Sequence, residues 1–171
     1  MSKNNRVLEE LKNIYQITHN QCVFIESKNG ALVVFNIAVV TIIISNNLLN
    51  SCILKFAVAG LFISCFFSFS SFSPNSYNCK NIKPIDDWNY SLIYFRYIAK
   101  EYGIRNAELY VKNLCESLGE IFNFENNSLV YSYANEIVVL SSIIEIKHSA
   151  FRRARTITIF SLILTMLGLL L

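Results

Sequence analysis

Residues 25–45 read IESKNGALVVFNIAVVTIIIS, and what they form decides the fold. A charged pair, Glu26 and Lys28, runs straight into apolar sequence that holds one asparagine, Asn36. Such a stretch is the core helix of a soluble domain, a cleaved leader, or the first crossing of a membrane protein. A leader would start earlier, would not follow an amphipathic stretch, and would be followed by a small-residue cleavage site. Charge then separates the other two readings. No charged residue lies between Lys28 and Lys55, none between Lys55 and Lys80, and none after Arg155. A helix needs about 20 apolar residues to span a bilayer, with a range of ~17–25. The first two runs are long enough. The last, TITIFSLILTMLGLLL at residues 156–171, sits at the short limit and is helped by arginines that snorkel to the interface.

Composition agrees. The chain is 53% hydrophobic and 16% charged, with a mean hydropathy of +0.39; a soluble domain carries about 25% charged residues. Five glycines and two prolines in 171 residues suit long helices better than a turn-rich β fold. A net charge of +3 is too small and too scattered for nucleic-acid binding. Five cysteines without a CxxC spacing, and only His19 and His148 beside them, give no metal site and no cofactor. Cys65 reads as a small packing residue.

The expected fold is all-α, with three transmembrane helices and a small helical cytoplasmic region. Residues 1–28 form a cytoplasmic amphipathic helix, 29–73 a transmembrane hairpin, 74–155 a cytoplasmic helical region and 156–171 the third crossing. The polar turn SNNLLNS at 45–51 lets the hairpin double back. Basic residues mark the cytoplasmic side. Lys28, Lys80, Lys83, Arg152, Arg153 and Arg155 flank the crossings on one side, and Lys55 alone marks the other. The N-terminus is then cytoplasmic and the C-terminus periplasmic.

Within the crossings, Ala57, Gly60, Ser64, Ser68 and Ser71 recur every three or four residues, so another helix can approach closely. That stripe serves packing against the first crossing or, on a sharper reading, a self-association surface. Phe62, Phe66, Phe69 and Phe72 fall largely on another face. Asn36 calls for an interhelical hydrogen bond or, less simply, a pore lining, and Thr41 and Ser45 could extend a polar strip along its helix.

In the cytoplasmic part, Val7 or Leu8, Leu11, Ile14 or Tyr15, Ile17 or Thr18, and Gln21 follow a helical period. Asp86 or Asp87 can cap a helix starting at Trp88, and Gly103 can end it. A second helix follows at about 106–118. From Ser128 onward one long helix carries Leu129, Tyr133, Ile137, Leu140, Ile144, Phe151 and Ala154 as a near-heptad stripe, with Lys147 on it. A lysine among apolar residues is either ion-paired, here with Glu26 or Glu145, or a phosphate binder. No phosphate loop, nucleophile elbow or HExxH is present, so an enzyme is not expected.

The order of pieces is distinctive. IESKNGALVVFN leads into the hairpin, LIYFRYIAKEY follows it, and ANEIVVLSSIIEIKHSAFRRARTITIFSLIL joins a cytoplasmic helix to the last crossing. The chain resembles the small transmembrane effectors of Pycsar, the bacterial pyrimidine-cyclase antiphage systems. The resemblance rests on Glu26, Lys28 and Gly30 entering the first crossing, and on Leu140, Ser141, Lys147, Arg153 and Ala154 entering the last. It covers nearly the whole chain on short motifs. His148 stands where an aromatic is expected, and Glu26 where aspartate is commoner. The resemblance implies a membrane effector, a homo-oligomer, activated by cyclic CMP or cyclic UMP from an adjacent cyclase. It would impair the inner membrane and kill the infected cell before phage mature. Lys28, Arg96, Tyr133 and Lys147 are the candidate ligand residues, cations for the phosphate and an aromatic for the base. Trp88, Tyr90, Tyr94, Tyr97 and Tyr131 add further stacking surface. The usual cyclic-nucleotide domain is a β-roll, and this chain has neither the strands nor the room for one. Two other classes stay open: a constitutive holin-like toxin, and a structural membrane module without a ligand.

Overall fold

The computed structural model describes residues 3–46, 48, 51–72, 91–103, 106–120 and 128–170. They form five helices and, among the described residues, no strand: α1 (Lys3–Ser45), α2 (Cys52–Ser70), α3 (Phe95–Glu101), α4 (Ala107–Leu118) and α5 (Ser128–Leu170). α1, α2 and α5 are each long and apolar enough to cross a membrane. The chain divides into two compact units. One is Met1–Val23 with Asn75–Ile146, the other Phe24–Pro74 with Lys147–Leu171. α1 and α5 each contribute to both.

The first unit has an ordinary hydrophobic core. Val7, Leu11 and Ile14 of α1 pack with Ile98 of α3, with Tyr110, Val111 and Leu114 of α4, and with Val130, Ala134, Ile137 and Val138 of α5. Three- and four-residue spacing puts each set on one helix face. The buried phenols are satisfied: Tyr110 Oη donates to Leu92 O at 3.0 Å, and Asn113 Nδ2 donates to Tyr102 Oη at 2.9 Å. Gly119, at φ +67°, ends α4, its N–H and that of Glu120 taking up the carbonyls of Glu116 and Cys115. Gly103 follows α3 at φ +55°, as expected of a helix stop.

The second unit reverses this polarity. Its outward residues are large and apolar: Phe56, Phe62, Phe66, Phe69, Phe160 and Met166 are all more than half exposed. Its fully buried residues include Asn29, Asn36, Ser64 and Ser68. A water-soluble domain does not expose so much contiguous apolar surface; a lipid-facing one does, with its polar side chains turned to other helices. Val40 and Ile43 of α1 pack with Val58 and Leu61 of α2 near the short turn that joins the helices, and Asn36 meets Ser64 further from it, so these two helices run antiparallel. The turn between them takes up the last carbonyls of α1, through Asn46 Nδ2 to Ile42 O at 2.8 Å and Leu48 N to Ile43 O at 3.1 Å. Ser51 caps α2, its Oγ accepting from Ile53 N at 3.3 Å.

Small residues of α2 also receive α5. A Cβ on Gly60 would collide with Ser161 Oγ, and one on Gly168 would lie 2.8 Å from Leu54 Cγ. The Gly60 contact predicts a reversal of sign. Alanine is the better helix former by about 1 kcal/mol. Gly60→Ala lowers stability in the wild-type chain, because buried Ser161 must give way. The same change raises it in a Ser161→Ala background, as measured by unfolding in mixed micelles.

Several expectations shift. The α5 stripe holds in part: Ile137, Ile144 and Ala154 are buried as expected, but Leu129 is exposed and Tyr133, Leu140 and Phe151 are half-buried, while their neighbours Val130, Ala134 and Val138 are buried instead. Adjacent apolar residues fit the same period, and packing against α1 and α4 chooses between them. Cys22, not Gln21, continues the buried face of α1. The helix expected from Trp88 begins at Phe95, with Tyr94 at its N-cap and no side-chain cap bond. Before it, the Ser91 carbonyl accepts from Tyr94 N and its hydroxyl from Ile93 N, which favours a turn over a helix there. Asp86, Asp87, Trp88, Tyr90, Lys80, Lys83 and the loop at 73–84 lie outside the described residues. The polar strip does not follow Thr41 and Ser45, which are exposed and bonded to their own helix.

Candidate functional site

Asn36 joins all three helices of the second unit. Its Nδ2 donates to Ser64 Oγ at 2.9 Å, and its Oδ1 accepts from Thr158 Oγ1 at 3.1 Å. Ser64 Oγ in turn lies 2.8 Å from Thr158 Oγ1 and 2.9 Å from the carbonyl of Ala154. All three side chains are buried, with Thr158 at 3% exposure. Of the two readings of Asn36, the interhelical hydrogen bond describes this arrangement. The buried polar residues also include Ser161 and Thr165 of α5, Ser68 of α2 and Ser71 at its C-cap. Sequence reasoning found the α2 part from its small-residue spacing. It missed Thr158, Ser161 and Thr165, whose helical period is hidden in a uniformly apolar segment.

Lys147 is ion-paired to Glu26 within the same unit. Of the two carboxylates proposed for it, Glu26 is the partner, and Glu145 belongs to Arg96. The Lys147 side chain is 12% exposed and that of Glu26 41%, so the ammonium is the more deeply placed of the pair. Lys28, one turn beyond Phe24 on an exposed face, holds its ammonium 4.1 Å from the Phe24 ring centroid. Arg152, Arg153 and Arg155 are exposed on α5.

In the first unit Arg96 Nε donates to Glu145 Oε2 at 3.1 Å. This hydrogen bond holds the Arg96 pKa above its ordinary value. A guanidinium has five N–H donors and this contact uses one. Cys22, Phe95 and Ile144 pack together in the same unit, with Tyr94 and Leu140 against them. Two buried polar atoms of that unit, Gln21 Oε1 and Ser141 Oγ, have no hydrogen-bond partner among the described residues. Tyr133 meets Tyr15 edge to face at 5.7 Å, and Tyr15 stacks on His19 at 6.1 Å. The Glu136 carboxylate pushes the Tyr15 phenol pKa up. The four candidate ligand residues therefore fall in different settings. Arg96 and Tyr133 take separate partners in the first unit, and Lys28 and Lys147 separate partners in the second.

Two buried acids make the first unit sensitive to alkali. Burial pushes the Cys115 thiol up to about 11 from an ordinary 9.0, with the Glu120 charge adding to it. Burial likewise pushes the Tyr110 phenol upward. Both shifts favour the neutral form in the folded state, so the unfolded chain releases these protons first. Their stabilising effect is complete below about pH 9 and falls as pH rises toward about 11. Thermal melts across that window are expected to drop. Cys115→Ser, which has no thiol to ionise, is expected to flatten the slope.

Beyond the geometry, the chain can be set against known proteins. No curated protein and no solved structure matches it. A family model described as the Pycsar effector protein domain matches residues 10–171, which covers α2 to α5 in full and α1 from Glu10 onward. The chain thus belongs to the Pycsar effector family, as a membrane protein of antiphage defence.

Proposed function

We propose that this effector is switched on by cyclic CMP or cyclic UMP from an adjacent pyrimidine cyclase. It then impairs the bacterial inner membrane, so that the infected cell dies before phage mature. The family match over residues 10–171 carries this reading. The apolar exterior and polar interior of the second unit support a physical action on the bilayer. In this reading the protein is not an enzyme, takes no metal or cofactor, and acts as a homo-oligomer. The basic flanks support a cytoplasmic first unit, on the side where a cyclic nucleotide would be made.

Arg96 is the preferred phosphate contact. It sits in the first unit, next in sequence to Phe95 of the cluster with Tyr94, and its guanidinium is held by Glu145. An incoming phosphate competes with Glu145 for the guanidinium. Lys147, paired with Glu26, and Lys28, set over the Phe24 ring, both belong to the second unit with the apolar exterior, so they are second to Arg96. The ligand acts through its differential affinity for resting and active states. A near-complete switch, from 1:99 to 99:1, takes about a 10⁴-fold difference.

The deciding experiment follows membrane potential in cells carrying the effector with a live or a catalytically dead pyrimidine cyclase. Depolarisation with the live enzyme alone is expected, and Arg96→Ala should abolish it. Depolarisation with both would mean a constitutive toxin. No depolarisation with either would overturn nucleotide activation.

A further inference from the structure

The second unit holds two satisfied polar layers with an unsatisfied one between them. At one end is the ion pair of Glu26 and Lys147. Further along is the node of Asn36, Ser64 and Thr158, in which each side chain has a partner. Between them lie Asn29 and Ser68. Both are fully buried, and neither Asn29 Oδ1, Asn29 Nδ2 nor Ser68 Oγ has a hydrogen-bond partner among the described residues.

Helix geometry fixes this order. Asn29 follows Glu26 by one turn of α1 and precedes Asn36 by two, a rise of about 10 Å. Because α2 runs antiparallel to α1, Ser68 lies one turn from Ser64 toward the ion-pair end. The contacts of Gly60 with Ser161 and of Leu54 with Gly168 show that α5 runs antiparallel to α2. Lys147 therefore also precedes Thr158 on the way to the node.

A buried amide has strong donors and acceptors, and leaving them unmet costs about 1–3 kcal/mol. Small apolar side chains could fill this space at no such cost. Polar groups that persist in a protein interior without protein partners are normally met by water. We infer that the Asn29–Ser68 layer is hydrated at rest and, with the Asn36 node beyond it, forms the wall of the ion path when the helices of the active effector part. The inference rests on the proposed membrane action for its second half only. The lining is of neutral amide and hydroxyl groups, so the path should pass small ions of both signs. The lipid face, with Phe62, Phe66 and Phe69, has no part in it.

The resting half is tested on the full chain in nanodiscs of phosphatidylethanolamine and phosphatidylglycerol, without nucleotide. Asn29→Cys and Ser68→Cys are treated with a small, anionic, water-soluble methanethiosulfonate, and the site of reaction is located by mass spectrometry. Val33→Cys and Leu61→Cys, equally buried but apolar positions of the same unit, are the controls. Native Cys65 is an internal reference in every variant. Labelling at 29 and 68 is expected to be at least tenfold faster than at 33 and 61. Equal rates at all four positions would overturn the hydrated layer.

The conducting half is read in cells with the live cyclase. The double variant Asn29→Leu/Ser68→Val is expected to slow depolarisation several-fold, and the lipid-face variant Phe66→Leu to leave it unchanged. Wild-type depolarisation that is insensitive to the double variant would overturn the path. If the wild type does not depolarise with the live cyclase, nucleotide activation fails, and the labelling comparison still decides the layer.

Discussion

Ser64→Leu is expected to dismantle the three-helix unit, whereas Ser64→Ala weakens it by about 1 kcal/mol. Ser64 is fully buried where α1, α2 and α5 meet. Leucine adds three carbons where there is no free volume, an overpacking cost of about 1–3 kcal/mol. It also leaves the Asn36 amide without its acceptor. Each interhelical hydrogen bond lost inside a bilayer costs about 0.6 kcal/mol on average. Together these come to about 2–5 kcal/mol, close to the whole stability of a domain at the low end of the usual 5–15 kcal/mol range. Alanine makes only a small cavity, and Thr158 still donates to Asn36 Oδ1. Unfolding in mixed micelles separates the two variants. If Ser64→Leu melts with the wild type, Ser64 is not at the helix junction.

Removing either partner of the Glu26–Lys147 pair should cost unequal amounts. Glu26→Gln leaves a largely buried ammonium without its carboxylate, an expected loss of about 2 kcal/mol. Lys147→Met leaves a carboxylate that already reaches solvent, and the expected loss is at most about 1 kcal/mol. Lys147→Glu places two carboxylates together and is the worst of the three. The exchange Glu26→Lys/Lys147→Glu restores most of what is lost. Equal effects of the two single variants would overturn the unequal burial of the pair, and no rescue by the exchange would show that the two charges are not coupled.

How much was legible in the sequence differs between the two units. The membrane character followed from charge alone, because 26 uncharged residues from 29 to 54 cannot be matched by ordinary soluble helices. The ends of α1 and α4, the long α5, and the outward phenylalanines of α2 were also readable, since capping residues and helical period act locally. Asn36 declared itself as one polar residue in an apolar run. The partners did not. Arg96 could have met any of several carboxylates, and only the packing of α3 beside α5 selected Glu145.

The sequence by itself determined that this is an all-helical membrane protein with three long apolar helices, and it pointed to the family. Those properties depend on residues near one another along the chain. Only the tertiary structure decided which face of α5 is buried, which carboxylate neutralises Lys147, and that Asn36 meets Ser64 and Thr158. Those contacts join positions up to 122 residues apart. Several apolar or polar candidates fit each helical period equally well, and shape complementarity among the helices broke the tie.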